Sequence, residues 1–432
     1  MFGYYIDLAL RSLWRSRVLT TLMVLALALG IGACITTLTV LRLLSGDPLP
    51  GRSAQLYYPQ IDPYPTEGYV PGQSKPQENL TWVDANNLFD AHRAPHQALV
   101  ALGSAKIEPR QAGGRPFFGD AVMATADFLP MVGAPFRYGS GWSAADDASG
   151  ARVVVLADFL NQKLFGGANS VGRSIRLNGH DFRIVGVLGH FSPQPRFYAL
   201  NIGRAYGQGD GAFLPLRAAR ATELMPNSIS CWEAADIEHL ETANCMWLGL
   251  WVELPNAAAV ANYRRFLDGY VHEQIARGRF HRTDTALPDL MGWLREEQVV
   301  PDDVRLQAGL AFGFLLICVT NTVGLLLAKC LRRSREIGVR RALGASRGAI
   351  CGQFMVEAAM VGMAGGLLGL LFAELGLWGI RHQPSDYAAL ARLDLGMFVF
   401  TFVVALVSAL IAGLLPAWRA CIVAPAPQLK NA

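Results

Sequence analysis

The 432 residues predict a membrane protein with four transmembrane α-helices and a large α+β domain inserted between the first and second. Three observations carry that fold class. Hydrophobic residues make up 52% of the chain against 17% charged, a balance shifted toward membrane proteins. Four apolar runs reach the roughly 20 residues that a bilayer requires. The segment between the first two runs, residues 45–305, is long enough and mixed enough in polarity to build its own core.

Residues 1–17, MFGYYIDLALRSLWRSR, read as an amphipathic helix. Asp7, Arg11 and Arg15 recur every four residues on one face, and Phe2, Ile6, Leu10 and Leu13 fall roughly opposite. That pattern suits a helix lying in a membrane interface, in contact with lipid. The first span is 18–44. IGAC, Ile31 to Cys34, has the look of a lipoprotein-processing box, but ITTLTVLRLL stays apolar beyond Cys34, so an uncleaved spanning helix is expected. The second span is 306–328, the third 354–380 and the fourth 395–415. Residues 329–353 join the second to the third, 381–394 form a short loop, and 416–432 form a tail.

Basic flanks orient the spans. Arg11, Arg15 and Arg17 precede the first. Lys329, Arg332, Arg333, Arg335, Arg340, Arg341 and Arg347 lie between the second and third, and Arg419 and Lys430 follow the fourth. These fall on one side, which places both termini in the cytoplasm and 45–305 outside. In the outer segment, TWVDANNLFDAH reads as a helix and ARVVVLADFLNQKLFGG as a strand and a helix ending at glycine. GRSIRLNGHDFRIVGVLG reads as a hairpin turning at Asn-Gly. LGLWVELPNAAAVANYRRFLDGYVHEQIARG reads as a strand followed by a long helix.

The third span carries Gly362, Gly365, Gly366 and Gly369 at spacings that let helices approach closely, within the chain or at a subunit interface. Glu357 and Glu374 fall near its ends and are expected to face protein or the interface, Glu357 toward an inner-face arginine. Asn321 in the second span is expected to hydrogen-bond between helices. Seven cysteines include one external pair, Cys231 and Cys245, a possible disulfide that depends on the two meeting in the fold. There is no CxxC pair and no His/Cys cluster at zinc spacing, so metal binding has no support. The net charge of +4 gives none to nucleic-acid binding.

Catalytic motifs are equally unsupported. GASRG, Gly344 to Gly348, matches the G-x-S-x-G of serine hydrolases but lacks the preceding strand, and the nearest histidine in sequence, His382, falls across the membrane. Gly344 reads instead as a helix end and Ser346 as the cap of the next helix. None of the five lysines (Lys75, Lys106, Lys163, Lys329 and Lys430) follows a glycine, so no P-loop is present. What remains is the basic stretch CLRRSREIGVRRALGASRG. Wound as a helix, it puts Arg333, Ile337, Arg340 and Arg341 on one side and Val339, Ala342 and Leu343 on the other. Ile337 then reads as an apolar knob on a charged face, suited to a partner's groove. Glu336 can pair with Arg333 or Arg340.

SREIGVRRALGASRGAICGQFMVEA resembles the cytoplasmic loop of MacB/FtsX-type ABC transporter permeases. LALRSLWRSRVLTTLMVLALALGIGA resembles their first span, VVVLADFLNQKLFGGANSVGRSIRLNGHDFRIVGVL their periplasmic core domain, and LLPAWRA the end of their fourth span. The tail CIVAPAPQLKNA departs from the family's more regular, Asp-Pro-containing one. The resemblance implies a bacterial inner-membrane protein whose periplasmic part has two subdomains, the inserted, β-rich one at about 115–225. It implies a homodimer, or a heterodimer with a similar permease, and a non-catalytic subunit whose ATP and Mg are bound by a separate ATPase. By matching position, Arg335, Glu336, Ile337, Gly338, Arg341, Ala342, Gly344 and Ala345 would contact that ATPase, and its motion would pass to the periplasm for export or extraction of a substrate. A periplasmic adaptor is a further partner the family suggests. A complex that activates an envelope protein without transport, a membrane receptor or sensor without an ATPase, and an outward-facing hydrolase are the alternatives.

Overall fold

The computed structural model describes residues 2–65, 75–109, 115–202, 204–233, 236–384 and 387–422. The tail from 423 onward, with Lys430, lies outside the described residues. The chain divides into two units, Met1–Ser45 with Val300–Ala432, and Gly46–Val299.

Among the described residues of the first unit, four helices are long and apolar enough to cross a membrane. They are Arg17–Leu44, Asp302–Arg332, Arg347–Arg381 and Leu395–Ile422. The helix Phe2–Arg15 precedes them. Several helices overshoot the apolar runs. The second starts after Pro301 with Asp302 and Asp303 in its first turn, where carboxylates meet the positive end of the helix dipole. The third starts at Arg347, after the Ser346 cap and seven residues before the apolar run, and the fourth continues through Pro416 rather than stopping at 415. Apolar length marks the bilayer, whereas caps mark the helix ends.

Small residues bring these helices together. Gly365 and Gly369 face Leu27 and Ile31 of the first span, and Gly362 and Gly366 face Ala405 and Ala409 of the fourth. A methyl group at Gly362 would stand 2.3 Å from the Ala409 Cβ. The glycine faces are thus occupied within the chain, where van der Waals packing takes the part that water exclusion plays elsewhere. Glu374 pairs with Arg381 at 2.6 Å. Asn321 lies exposed on its helix rather than between helices, contrary to the expectation: it stands about 100° round the helix from Thr322, which with Cys318 lies on the buried side.

Among its described residues the second unit has a large mixed sheet and a two-stranded one, Gln60–Ile61 with Thr285–Ala286. The main path of the large sheet runs Leu56–Tyr57, Cys245–Glu253, His96–Glu108, Phe117–Ala124, Ala212–Pro215, Val153–Leu156, His180–Leu188 and Phe136–Gly139. Alternation along the strand His96–Glu108 feeds two cores. Leu99, Ala101, Ala105 and Ile107 point to one, and Ala98, Val100 and Leu102 to the other. The first core is covered by the helices Trp82–Asp90, Asp158–Phe165 and Ala257–Ala276, through Leu88, Leu160 and Leu267. The second is aromatic: Tyr58 stacks on Trp293 at 4.6 Å, and Phe197 meets Trp251 edge-on at 4.8 Å. The hairpin Ser174–Leu177 with His180–Leu188 turns on Asn178 and Gly179, both at positive φ, as a two-residue turn of that twist requires.

The β-rich part expected at about 115–225 shares its sheet with the segments on either side. Phe117–Ala124 pairs with His96–Glu108, and Ala212–Pro215 pairs in parallel with Phe117–Ala124, so its strands continue the sheet of the flanking segments. Both cores draw on residues inside and outside that range. Strand pairing over long sequence separations decided this, and no local pattern records it. Cys231 stands opposite Cys245 where Ser230–Cys231 pairs with Cys245–Glu253, and the two are joined by a disulfide.

Candidate functional site

The basic stretch forms a short linker helix, Ser334–Ala342, between the second and third spanning helices. Arg333 alone separates it from the second, and its backbone N–H donates to the Cys330 carbonyl. Gly344, at φ +95°, ends it, with the Gly344 and Ala345 N–H groups donating to the Arg341 and Arg340 carbonyls. The Ser346 hydroxyl then accepts from the Ala349 N–H and starts the third spanning helix. Helix, hinge, helix, glycine and cap therefore fix a bracket of defined shape.

The bracket turns opposite to the expectation. Ile337 is only 6% exposed and packs with Cys330, Ile350, Phe354 and Ala417, so it is an inward anchor and not a projecting knob. Gly338 is buried beside it. A helix lying across the ends of spanning helices buries one side against them, and here that side carries Ile337. The outward side presents Val339, 49% exposed, and Leu343, 83% exposed, with Ala342 between them. Their i, i+3, i+4 spacing makes one apolar face. Arg340 ties the helix to its surroundings: it donates to Glu336 at 2.6 Å and to Gln353 of the third spanning helix at 3.1 Å.

Of the residues assigned to the contact, Glu336, Ala342 and Gly344 are exposed, and Arg341 and Ala345 half-buried. Ile337 and Gly338 do not reach the surface. The Arg335 side chain lies outside the described residues. Val339 and Leu343 were visible in the sequence as the opposite apolar side of the helix, but which side faces outward depends on Ile350, Phe354 and Ala417. Those residues lie up to 87 positions from Cys330 and share a cluster with it only in the fold.

Residues 20–266 match the family of MacB-like periplasmic core domains, and residues 308–425 match the FtsX-like permease C-terminal family. Among named relatives is the pyoverdine export ATP-binding/permease protein PvdT of Pseudomonas aeruginosa, 27% identical over 307 residues, covering 71% of this chain and 41% of that one. The PvdT of Pseudomonas fluorescens is 26% identical over 434 residues, 99% of this chain and 59% of that one. An uncharacterized ABC transporter permease of Bacillus subtilis, YvrN, is 24% identical over 70% of this chain and 68% of its own. The chain thus spans about half the length of the two PvdT relatives. Among solved structures, the periplasmic region of MacB from Actinobacillus actinomycetemcomitans superposes with a TM-score of 0.37 at 13% identity, over 56% of this chain and 92% of that one.

Proposed function

This chain belongs to the MacB/FtsX family of ABC transporter permeases, and we propose that it carries motion from a separate ATPase in the cytoplasm to its domain on the far side of the membrane. In this reading the protein sits in the bacterial inner membrane with both termini and the linker helix in the cytoplasm. The asymmetry of basic residues around the spans supports that orientation. The large inserted domain then lies in the periplasm.

The observation that carries the reading is the outward face of the linker helix. Leu343, at 83% exposure, and Val339 form an apolar face on a helix otherwise rich in arginine. Such a face is costly to leave in water and is the composition of a docking surface: apolar side chains supply burial, and Glu336 and Arg340 at its rim supply register. Ile337 holds the helix against the spans from behind, so a push on Leu343 is a push on the second and third spanning helices. ATP binding would close two such brackets in a dimer of permeases and shift the inserted domains. The relatives named for pyoverdine and macrolide export point to efflux of a small molecule as the work done.

Leu343→Glu tests this. The variant is expected to insert and fold normally, yet to lose co-purification with the ATPase and the hydrolysis that the pair stimulates. A buried apolar contact replaced by a charge costs about 2–4 kcal/mol, enough to lower affinity at least 30-fold. Unchanged co-purification and unchanged hydrolysis would remove the docking role.

A further inference from the structure

Beneath the linker helix lies a buried polar cluster drawn from three helices. Glu357 of the third spanning helix is 1% exposed. Its Oε1 accepts from the Lys329 ammonium at the end of the second spanning helix, and from the Ser12 hydroxyl of the N-terminal helix at 2.6 Å. The same Ser12 oxygen accepts from Arg333 Nη1, which also stands 3.8 Å from Glu357 Oε2. Ser12 is itself buried and faces the bundle beside Ala9, whereas Leu10 and Trp14 on the same helix are exposed. The hydroxyl therefore bridges the carboxylate to the one residue that separates the second spanning helix from the linker helix.

Ion clusters of this kind are poor stabilisers. Removing the charges from water costs several kcal/mol per ion, and apolar residues of similar volume would serve stability as well or better. Their best-attested use is to fix one arrangement against its neighbours. Here the fixed point is Arg333, whose backbone torsions set the angle between second span and linker. We propose that Ser12, Lys329, Arg333 and Glu357 form a polar latch that holds this hinge, and that the N-terminal helix, through Ser12, is part of the coupling machinery. Lys329, Ser12 and Glu357 are then positioning residues. They touch neither the ATPase nor a substrate, and they set the stance from which Leu343 is presented. The inference rests on the proposed function for its purpose, but the latch itself is a property of this chain alone.

Amide hydrogen exchange on the full-length chain in lipid nanodiscs tests it. Glu357→Gln, which leaves Lys329 and Arg333 uncompensated, is expected to raise exchange across the linker helix and the N-terminal helix by about tenfold, and to leave the inserted sheet unchanged. Ser12→Ala keeps all three charges and removes only the bridge. It is expected to raise exchange in the same two helices by about threefold, so it decides the matter even if Glu357→Gln does not insert. Wild-type exchange in both helices of Ser12→Ala overturns the latch, and so does a uniform rise across all four spanning helices, which would mark general loosening. With the ATPase added, Ser12→Ala is expected to retain co-purification while stimulated hydrolysis falls by about threefold. If the wild-type chain recruits no ATPase at all, the proposed function fails, and the exchange data still judge the latch.

Discussion

The inserted domain and the spanning helices are both rich in apolar residues, yet they are held together differently. The domain buries large side chains: Trp247, Trp251, Trp293, Tyr263 and Phe213 are among its fully enclosed residues. Water exclusion drives that packing, and the gain scales with the apolar area removed. The spanning helices meet through Gly362, Gly365, Gly366 and Gly369, while large side chains such as Leu371, Leu375 and Ile411 point outward. In lipid there is no such drive, so close approach of backbones and a few polar contacts decide the packing. One unit should therefore fail when a residue is made smaller, and the other when it is made larger.

The largest effect expected from that contrast is Trp251→Ala in the domain. Trp251 touches both Tyr58 and Phe197, and its loss should cost about 3–5 kcal/mol, read from denaturant unfolding of the domain. Gly362→Leu is the converse test. It should cost about 1–3 kcal/mol of bundle stability and leave unfolding of the domain unchanged, because the added atoms meet Ala405 and Ala409 directly. If both variants destabilise the same unit, or if Gly362→Ala and Gly362→Leu are equally mild, the contrast is wrong.

A smaller effect sharpens the domain side. Burial, followed by the neighbouring Glu78 carboxylate, pushes Glu297 from the ordinary 4.5 to about 7. The folded domain therefore holds this proton more tightly than the unfolded chain does. The associated stability is fully present below pH 4.5 and is lost as pH rises toward about 7. Glu297→Gln should flatten that fall, measured as thermal midpoints across the interval, and a wild-type slope in the variant would contradict the assignment.

Features written in short stretches were legible in the sequence. The four apolar runs, the Asn178-Gly179 turn, the glycine end at Gly344 and the Ser346 cap all depend on neighbours within a few residues. The Glu336–Arg340 pair is equally local. What could not be read involves partners far apart in the chain. The strand His96–Glu108 binds the range 115–225 into one sheet, and Ser12 reaches Glu357 across 345 positions. Ile337 belongs to the same class. Its apolar character was plain, but its direction was set by Phe354 and Ala417. The sequence thus put Ile337 on the outward side of this helix, and the fold turns it inward.

That face is the point on which the functional reading turns. A photo-crosslinking side chain placed at position 343, and separately at position 337, in native membranes would report it directly. We expect a cross-linked product with the ATPase from 343 and only internal products from 337. A product from 337 with none from 343 would return the contact to the buried face, and no product from either would take the linker helix out of the contact altogether.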